Sequence, residues 1–290
     1  MTKKKIRIPT VIFTATPDTV EYKPNYIGIF KKGDKGASYT DLLNYFQEIF
    51  ATGLTRIMGG RGKIEEVLGH VFNENLMPKK YRKKWIEYGK ADSAQTEKAL
   101  LRHAVEHMLQ LLVDDNDIYF PEEVYLVSSL SKEFKTGCII KQKDNEKMFV
   151  LMTPACDLII RSNGERNTDR VLIVEIDEHS LLFPDHLYSH PNKSQENDLK
   201  NAYKNKTSYY HWLPQTDVFG GGFINFRKLF SVSFDELEDK FDNTMVKISP
   251  AFVKDIISRF SLYYARQGQP EIDNNQFFYP SVIKNVEVMS

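Results

Sequence analysis

The sequence predicts a mixed α+β protein: a helical N-terminal unit, then a small antiparallel β-barrel or rolled sheet, then a C-terminal helix. Apolar residues recur every three to four positions between residues 40 and 115, which is the spacing of amphipathic helices. Short apolar runs separated by turn residues follow from residue 123, which is typical of strands in small barrels. A helical pattern with start and stop signals begins at Ser249. We therefore expect two domains, 1–120 and 121–290.

The N-terminal half begins with a strand and continues as helices. Residues 6–13 combine β-branched and aromatic side chains and predict a strand, which Pro9 restricts to a sheet edge. Residues 17–36 are rich in the Pro, Gly, Lys and Asp residues of turns. Ser38 or Asp41 can cap the first helix. The predicted helices cover about 40–50, 64–72 and 93–113.

The C-terminal half is predicted as strands followed by one helix. The stretch 190–207 is polar and lysine-rich, so we expect a surface excursion or a mobile lid there. Ser249 and Pro250 begin the final helix, and Gly268 with Pro270 ends it. The predicted strands are 124–127, 138–140, 148–152, 171–176, 209–213 and 223–226.

Composition is that of an ordinary globular protein. Of the 290 residues, 41% are apolar and 27% charged, which argues against a mainly disordered chain. The two cysteines, Cys138 and Cys156, are too few for a disulfide framework, and no basic-then-apolar leader opens the sequence. No apolar run approaches the roughly 20 residues that a bilayer-spanning helix needs. We expect a cytoplasmic protein that does not cross a membrane.

Charge is distributed unevenly along the chain. Residues 1–100 contain 18 Lys and Arg against 11 Asp and Glu, and the remainder contains 21 against 28. A basic half can face a nucleic acid, or two halves of opposite charge can attract each other or their partners. Charge alone leaves both interpretations open.

A cluster of cations around two aromatic residues lies within residues 78–85. Such a cluster can neutralise phosphates and offer a stacking surface, or it can form a solvated face or dock an acidic protein. The sequence contains no recognised nucleic-acid-binding module that would decide between them. The candidate nucleic-acid or partner-binding residues are Lys79, Lys80, Arg82, Lys83, Lys84 and Trp85.

Residues 103–107 match the H-x-x-E-H pattern, in which two histidines one turn apart hold zinc and the glutamate acts as a base. Helical spacing places His103 and His107 on one face. Glu106 projects away from that face, and no downstream carboxylate stands out as a third ligand. The alternative is a pair of polar residues bordering an apolar stripe. We expect no cofactor, and zinc at His103 and His107 is the alternative.

A cysteine and an aspartate follow the predicted strand 148–152, where a loop can present functional groups. Cys156 would need a nearby histidine to form a thiolate nucleophile, and His211, at another predicted strand, is the candidate. Cys156, Asp157 and His211 are therefore the candidate catalytic set. In the competing interpretation Cys156 is a small buried residue and Asp157 caps a turn.

Three segments together resemble a loosely defined group of uncharacterised bacterial proteins. They are 153–158 (Thr-Pro-Ala-Cys-Asp-Leu), 211–214 (His-Trp-Leu-Pro) and 258–270, which finishes Ala-Arg-Gln-Gly-Gln-Pro. The resemblance covers about 123–270 and implies an SH3-like barrel that carries the Cys-Asp segment. It also implies a genetic context of defence or signalling, beside GHKL-type ATPases or response-receiver domains. It implies no catalytic role.

The leading functional hypothesis is a non-enzymatic accessory or regulatory protein. It would bind a partner macromolecule, a protein above all, in a bacterial defence or signalling system, because no complete active-site set stands out. The first alternative is a hydrolase that uses Cys156 or the H-x-x-E-H metal site. The second is a nucleic-acid binder that uses residues 78–85.

Overall fold

Two units divide the chain, residues 1–117 and 118–290. The α+β class is confirmed: the first unit is mainly helical, and the second is built on an antiparallel sheet that ends in a helix. The predicted domains 1–120 and 121–290 concern independent folding and stay a prediction. The computed structural model describes residues 10–22, 26–58, 62–113, 118–127 and 133–266.

The N-terminal unit combines a two-stranded parallel sheet with helices. The predicted strand 6–13 is present in its second half, and residues 6–9, including Pro9, lie outside the described residues. The second strand lies within the region predicted as turns, and that prediction was wrong. Tyr45 fixes this strand, because its hydroxyl donates to the Ile27 carbonyl (2.5 Å) and its ring packs on Phe30. The elements are β1 (Thr10–Thr14), β2 (Tyr26–Lys31), α1 (Tyr39–Ala51), α2 (Leu54–Met58), α3 (Lys63–Val71), a π-helical turn (Phe72–Leu76), α4 (Lys79–Ala91) and α5 (Ser93–Leu112).

Capping side chains set the starts of helices α1 and α5. At α1 the Ser38 hydroxyl accepts from the Asp41 amide (3.2 Å), and the Asp41 carboxylate accepts from the Ser38 amide (2.9 Å). These hydrogen bonds from Ser38 lower the pKa of Asp41. At α5 the Asp92 carboxylate accepts from the Gln95 amide (2.9 Å). A capping side chain satisfies an amide that has no partner within the helix.

The C-terminal unit is built on a seven-stranded antiparallel sheet in the order β3-β9-β4-β5-β6-β8-β7. Among the described residues the sheet is curled but open, because β3 and β7 each pair on one side only. The predicted rolled sheet is therefore observed as a half-barrel. Its strands are β3 (Tyr125–Val127), β4 (Cys138–Gln142), β5 (Met148–Leu151), β6 (Arg170–Asp177), β7 (Tyr210–Leu213), β8 (Gly222–Ser233) and β9 (Phe241–Ile248).

Both faces of the central strands are buried. On β4 the side chain of Ile139 enters one apolar cluster, whereas Ile140 enters another on the opposite face. Helix α11 covers the first cluster with Ile256, and helix α10 covers the second with Leu237. The helices are α6 (Ala155–Leu158), α7 (His179–Leu182), α8 (Asp185–Tyr188), α9 (Lys193–Tyr203), α10 (Phe234–Lys240) and α11 (Pro250–Ala265).

Much of the predicted surface excursion 190–207 is helix α9, whose residues are mostly exposed, so the stretch lies at the surface but is ordered as a helix. Asn192 begins the helix with a capping box: its side chain accepts from the Gln195 amide (3.0 Å). Ala202 is buried beside Phe223 of β8. Leu199 also packs against this cluster, and the Tyr203 ring contacts Trp212 and Phe223. Three residues in an otherwise polar helix leave little trace in the hydrophobic pattern.

The final helix begins at Pro250, as predicted, with Ser249 at the N-cap position. The Ser249 side chain makes no capping hydrogen bond, so the backbone position is confirmed without the side-chain cap. The helix ends at Ala265, and the predicted stop residues Gly268 and Pro270 lie outside the described residues. Within the part of the chain that the structure describes, no helix has the length and apolar character needed to cross a bilayer.

A close backbone approach requires glycine at the β7–β8 turn. Gly221 has φ +75°, and a Cβ atom there would lie 2.8 Å from the Gln215 amide nitrogen. We expect Gly221→Ala to lower the free energy of unfolding by about 3 kcal/mol, since the left-handed backbone alone costs about 1–2 kcal/mol and the contact adds to it.

Gly164→Ala is the matched control for this prediction. Gly164 has φ +83°, but a Cβ atom there meets nothing within 4 Å, so only the conformational cost of about 1 kcal/mol applies. Urea unfolding measures the loss of stability in both variants. Equal losses in Gly221→Ala and Gly164→Ala would show that the contact with Gln215 does not contribute to the cost.

Candidate functional site

The cation cluster predicted at residues 78–85 lies on helix α4, an element that the sequence analysis did not identify. Lys80, Arg82, Lys83 and Lys84 are exposed. Lys84 pairs with Glu87 (2.6 Å), the one carboxylate of the helix. The side chain of Lys79 lies outside the described residues. The helix therefore presents a strongly basic surface.

Trp85 and Arg82, two of the candidate residues, line a groove of about 690 Å³ between α4 and α5. Trp85 is half-buried, and its ring lies 5.9 Å from that of Tyr88. The groove is mainly apolar, and its charged lining residues are two cations and one carboxylate. Its lining consists of Phe72, Leu76, Met77, Arg82, Trp85, Ala94, Glu97, Lys98, Leu100, Leu101 and Ala104.

An apolar stripe on α5 continues from this groove. Leu101, Val105, Leu109 and Leu112 recur at helical spacing, and all four are exposed to solvent. Leu101, which lines the groove, is 66% exposed. Scattered exposed leucines are common on protein surfaces, whereas these four form a continuous apolar stripe beside an apolar groove.

The two histidines of the H-x-x-E-H pattern lie together on α5, as helical spacing predicts. Their ring centroids are 4.5 Å apart, and one Nε2 atom donates to the other at 3.2 Å. The ring of His103 also lies 5.9 Å from the ring of Trp85. Among the described residues, no group of three or more His, Cys, Asp or Glu side chains is arranged to hold a metal ion. The histidine pair therefore has no third ligand from the described part of this chain.

The candidate catalytic residues Cys156 and Asp157 lie on the short helix α6. Cys156 is exposed, which corrects the interpretation of it as a small buried residue. Its sulfur lies 3.5 Å from Asp157 Oδ1, and Asn167 donates to the same oxygen at 3.1 Å. The described contact of the thiol is thus to a carboxylate rather than to an imidazole.

His211 is not brought to Cys156. Thr153, just before α6, bonds Leu172 of β6, whereas His211 lies across β8 from Ile176 at the other end of that strand. Strand geometry separates the two positions by about 13 Å along the sheet and about 10 Å across it. The proposed Cys156–His211 pair therefore fails on geometry.

His211 is also a poor base. Burial, together with the nearby Arg259 guanidinium, lowers the pKa of His211 to about 3. Its Nδ1 atom lies 3.7 Å from an Asp255 carboxylate oxygen, which would form an ion pair with a charged ring. Asp255 is largely exposed and the separation is long, so burial prevails and the imidazole is neutral.

A buried charged cluster was missed by the sequence analysis. Glu175 and Asp177 are side-chain neighbours on β6, and the Lys228 ammonium donates to both, at 2.8 and 2.5 Å. Lys147 donates to Glu175 at 3.1 Å, and Asn225 donates to Asp177 at 2.8 Å. The available signal was two carboxylates two residues apart inside an otherwise apolar strand.

The cluster has a neutral balance of two carboxylates and two ammonium groups. Burial raises the pKa of Glu175, but hydrogen bonds from Lys228 and Lys147 outweigh it, so the net pKa is lowered. Burial lowers the pKa of Lys228, and hydrogen bonds to Asp177 and Glu175 reverse this and raise it. Each charge therefore has a partner, which is the arrangement of a structural ion cluster.

Comparison with known proteins yields little. No protein-family model matches the chain, and no curated protein matches it. Solved structures with similarity include an endoribonuclease in complex with its cognate antitoxin from a mycobacterial species, with a TM-score of 0.29 and 10% identity over 48% of this chain and 100% of that chain. An endoribonuclease from a mycobacterial species has a TM-score of 0.27 and 12% identity over 49% of this chain and 100% of that chain. Similarity at this level carries no conclusion about activity.

Removal of Lys228 tests the ion cluster. We expect Lys228→Met to lower the free energy of unfolding at pH 7 by about 2–3 kcal/mol, because two buried carboxylates lose their shared partner. Lys147→Met is the control and should cost less than about 1 kcal/mol, since Lys147 is half exposed and bonds only Glu175. Chemical unfolding at pH 7 and below pH 4.5 measures both variants. The difference in unfolding free energy between the wild type and Lys228→Met should become smaller in acid. The reason is that Glu175, whose pKa is lowered in the folded state, loses its stabilising effect as the pH falls through that pKa.

The neutrality of His211 gives a pH-dependent prediction. Between pH 7 and pH 5 the unfolded histidine binds a proton, whereas the folded one, with a pKa of about 3, does not. Stability should therefore fall by about 2 kcal/mol more in the wild type than in His211→Gln over this range. His190→Gln, at an exposed position, should behave as the wild type. An NMR titration that shows His211 protonated at pH 5 would contradict this prediction, whether or not the variant folds.

Proposed function

We propose that this protein is a non-enzymatic accessory or regulatory protein whose α4–α5 groove binds a protein partner. The single observation that supports this most strongly is the exposed apolar stripe of α5, which runs from the groove along the helix. Leu101 and Leu109 are each more than half exposed, although the same helix buries Ala104. An amphipathic helix that leaves its apolar face in water loses the stabilisation that burial would give.

The geometry of the groove favours a helical segment as the bound element. Helix α5 has 20 residues and is therefore about 30 Å long, which is enough to contact several turns of a bound helix. Covering four half-exposed apolar side chains contributes roughly 1 kcal/mol each. Recognition of an amphipathic helix in an apolar groove, with side chains anchored at helical spacing, is a common mode of peptide binding.

The charge of the surface favours an acidic partner. Helix α4 contains six cations and one carboxylate, and that carboxylate, Glu87, is already paired with Lys84. Among the described residues, Arg82 and Lys98 line the groove without an ion-pair partner. An amphipathic helix with acidic residues beside its apolar stripe would place its charges against these side chains, which speeds association and sets orientation.

The resemblance of residues 123–270 to bacterial proteins with a Thr-Pro-x-Cys-Asp-Leu segment supports a biological setting for this proposal. We assign the partner to a bacterial defence or signalling system. We propose a regulatory role because the candidate catalytic residues do not assemble: Cys156 lies on α6 near one end of β6, and His211 lies on β7 near the other end of that strand.

An affinity experiment with a matched pair of variants tests the proposal. Leu101→Glu places a charge in the groove, and Leu262→Glu places the same charge at an equally exposed leucine of α11, 68% against 66% exposed. Tagged wild type and both variants are used to capture proteins from the native host, with and without nuclease. We expect a nuclease-resistant protein that the wild type and Leu262→Glu retain, and that Leu101→Glu loses by at least tenfold because an apolar anchor becomes a charge.

Trp85 provides a direct measurement with the captured protein. In a Trp212→Phe background Trp85 is the sole tryptophan, since the chain contains two. Binding in the groove should shift its emission, and Leu101→Glu should abolish the shift. Capture that Leu101→Glu leaves intact would overturn the groove assignment. Capture that nuclease abolishes and that weakens steeply with salt would replace it with nucleic-acid binding through α4.

A further inference from the structure

The nitrogen atoms of His103 and His107 have the separation of two ligands on one metal ion. Both side chains leave α5 on the same face, and their Nε2 atoms lie 3.2 Å apart. A tetrahedral zinc ion holds each imidazole nitrogen at about 2.0–2.1 Å, which places two such nitrogens roughly 3.3 Å apart. An ion could therefore take the place of the proton that the two rings share, without a change in the helix.

We propose that His103 and His107 form a two-ligand site for a divalent transition ion such as Zn²⁺ or Cu²⁺. Neutral imidazole is a common ligand for both ions, and histidines four residues apart on a helix lie on one side of it. The pair is accessible, because His103 is exposed and His107 is half-buried. The site needs no buried cage, so the remaining coordination positions face solvent.

The incomplete ligand set defines the role of the site. The described residues supply no third His, Cys, Asp or Glu ligand, so among them the remaining coordination positions are open to another molecule. Structural zinc sites have four protein ligands, so a two-ligand site on the surface of a helix is suited to sharing an ion with another molecule. The inferred function is a metal-dependent contact.

The position of the pair connects the ion to the α4–α5 groove. The ring of His103 lies 5.9 Å from that of Trp85, and Trp85 lines the groove. An acidic segment bound there would bring a carboxylate oxygen, itself a zinc ligand, close to the open positions. This last step rests on the proposed function, whereas binding of the ion to the two histidines does not.

Copper titration of the free protein tests the site directly. Cu²⁺ binds nitrogen ligands more tightly than Zn²⁺, and it quenches the fluorescence of a nearby indole. In the Trp212→Phe background we expect saturable quenching of Trp85 with one ion per chain, reversed by a chelator. His103→Gln and His107→Gln should each weaken binding at least tenfold. His70→Gln, at an exposed histidine of α3, should leave the titration unchanged.

Each outcome of the titration decides the matter. Quenching of equal affinity in His103→Gln or His107→Gln would overturn the proposed site, as would the absence of saturable quenching. Circular dichroism of each variant, compared with the wild type, checks that its total helix content is unchanged. If copper binds as expected but Zn²⁺ and a chelator leave partner capture unchanged, the two-histidine site stands and the metal-dependent contact is wrong. Loss of capture in Leu101→Glu with copper binding unchanged is the result expected if both proposals hold.

Discussion

The burial of both faces of strands β4, β5 and β6 is the constraint on which the C-terminal unit depends. Side chains alternate between two apolar clusters, so this sheet cannot be solvated on either side. Helix α11 must cover one face and helix α10 the other. Strand β9 returns to pair with β4 after α10, which packs on the second cluster. Charged residues within the sheet must then be neutralised internally, and Lys228 does this for Glu175 and Asp177.

The N-terminal unit does not bury its longest helix in the way that the C-terminal unit buries its central strands. Its longest helix, α5, buries Thr96 and Ala104, and its larger apolar residues remain in contact with water. The two units thus differ in what their apolar residues do: those of the sheet stabilise the fold, and those of α5 are available for association. This difference is the physical basis for placing the interaction surface on the helical unit, where the predicted Arg82 and Trp85 also lie.

The sequence predicted those elements whose stabilising contacts leave a periodic pattern. Helix α5 and strand β6 have long apolar patterns, and both were identified close to their observed bounds. Helix α9 was missed because only Leu199, Ala202 and Tyr203 dock it, and the Phe223 ring that they pack against belongs to a distant strand. Strand β9 was missed because its pattern is broken by Asn243 and Met245, where the backbone adopts a positive φ of 67° at Met245. The candidate site was likewise predicted only where local sequence defines it. Local composition identified Arg82, Trp85 and the histidine pair, but the groove wall from Phe72 to Met77 could be recognised only from the tertiary structure.

The exposed stripe of α5 also has a consequence for the steady-state amount of this protein in a cell. Chaperones and proteases act on exposed apolar segments, and small changes in the amount of such surface alter steady-state abundance several-fold. A copy without its partner would present Leu101, Val105, Leu109 and Leu112 to that machinery, whereas a bound copy would not. Under the proposed function the partner's supply therefore sets the level of this protein. The stoichiometry of the two could then be held by degradation of the excess, without any control of transcription.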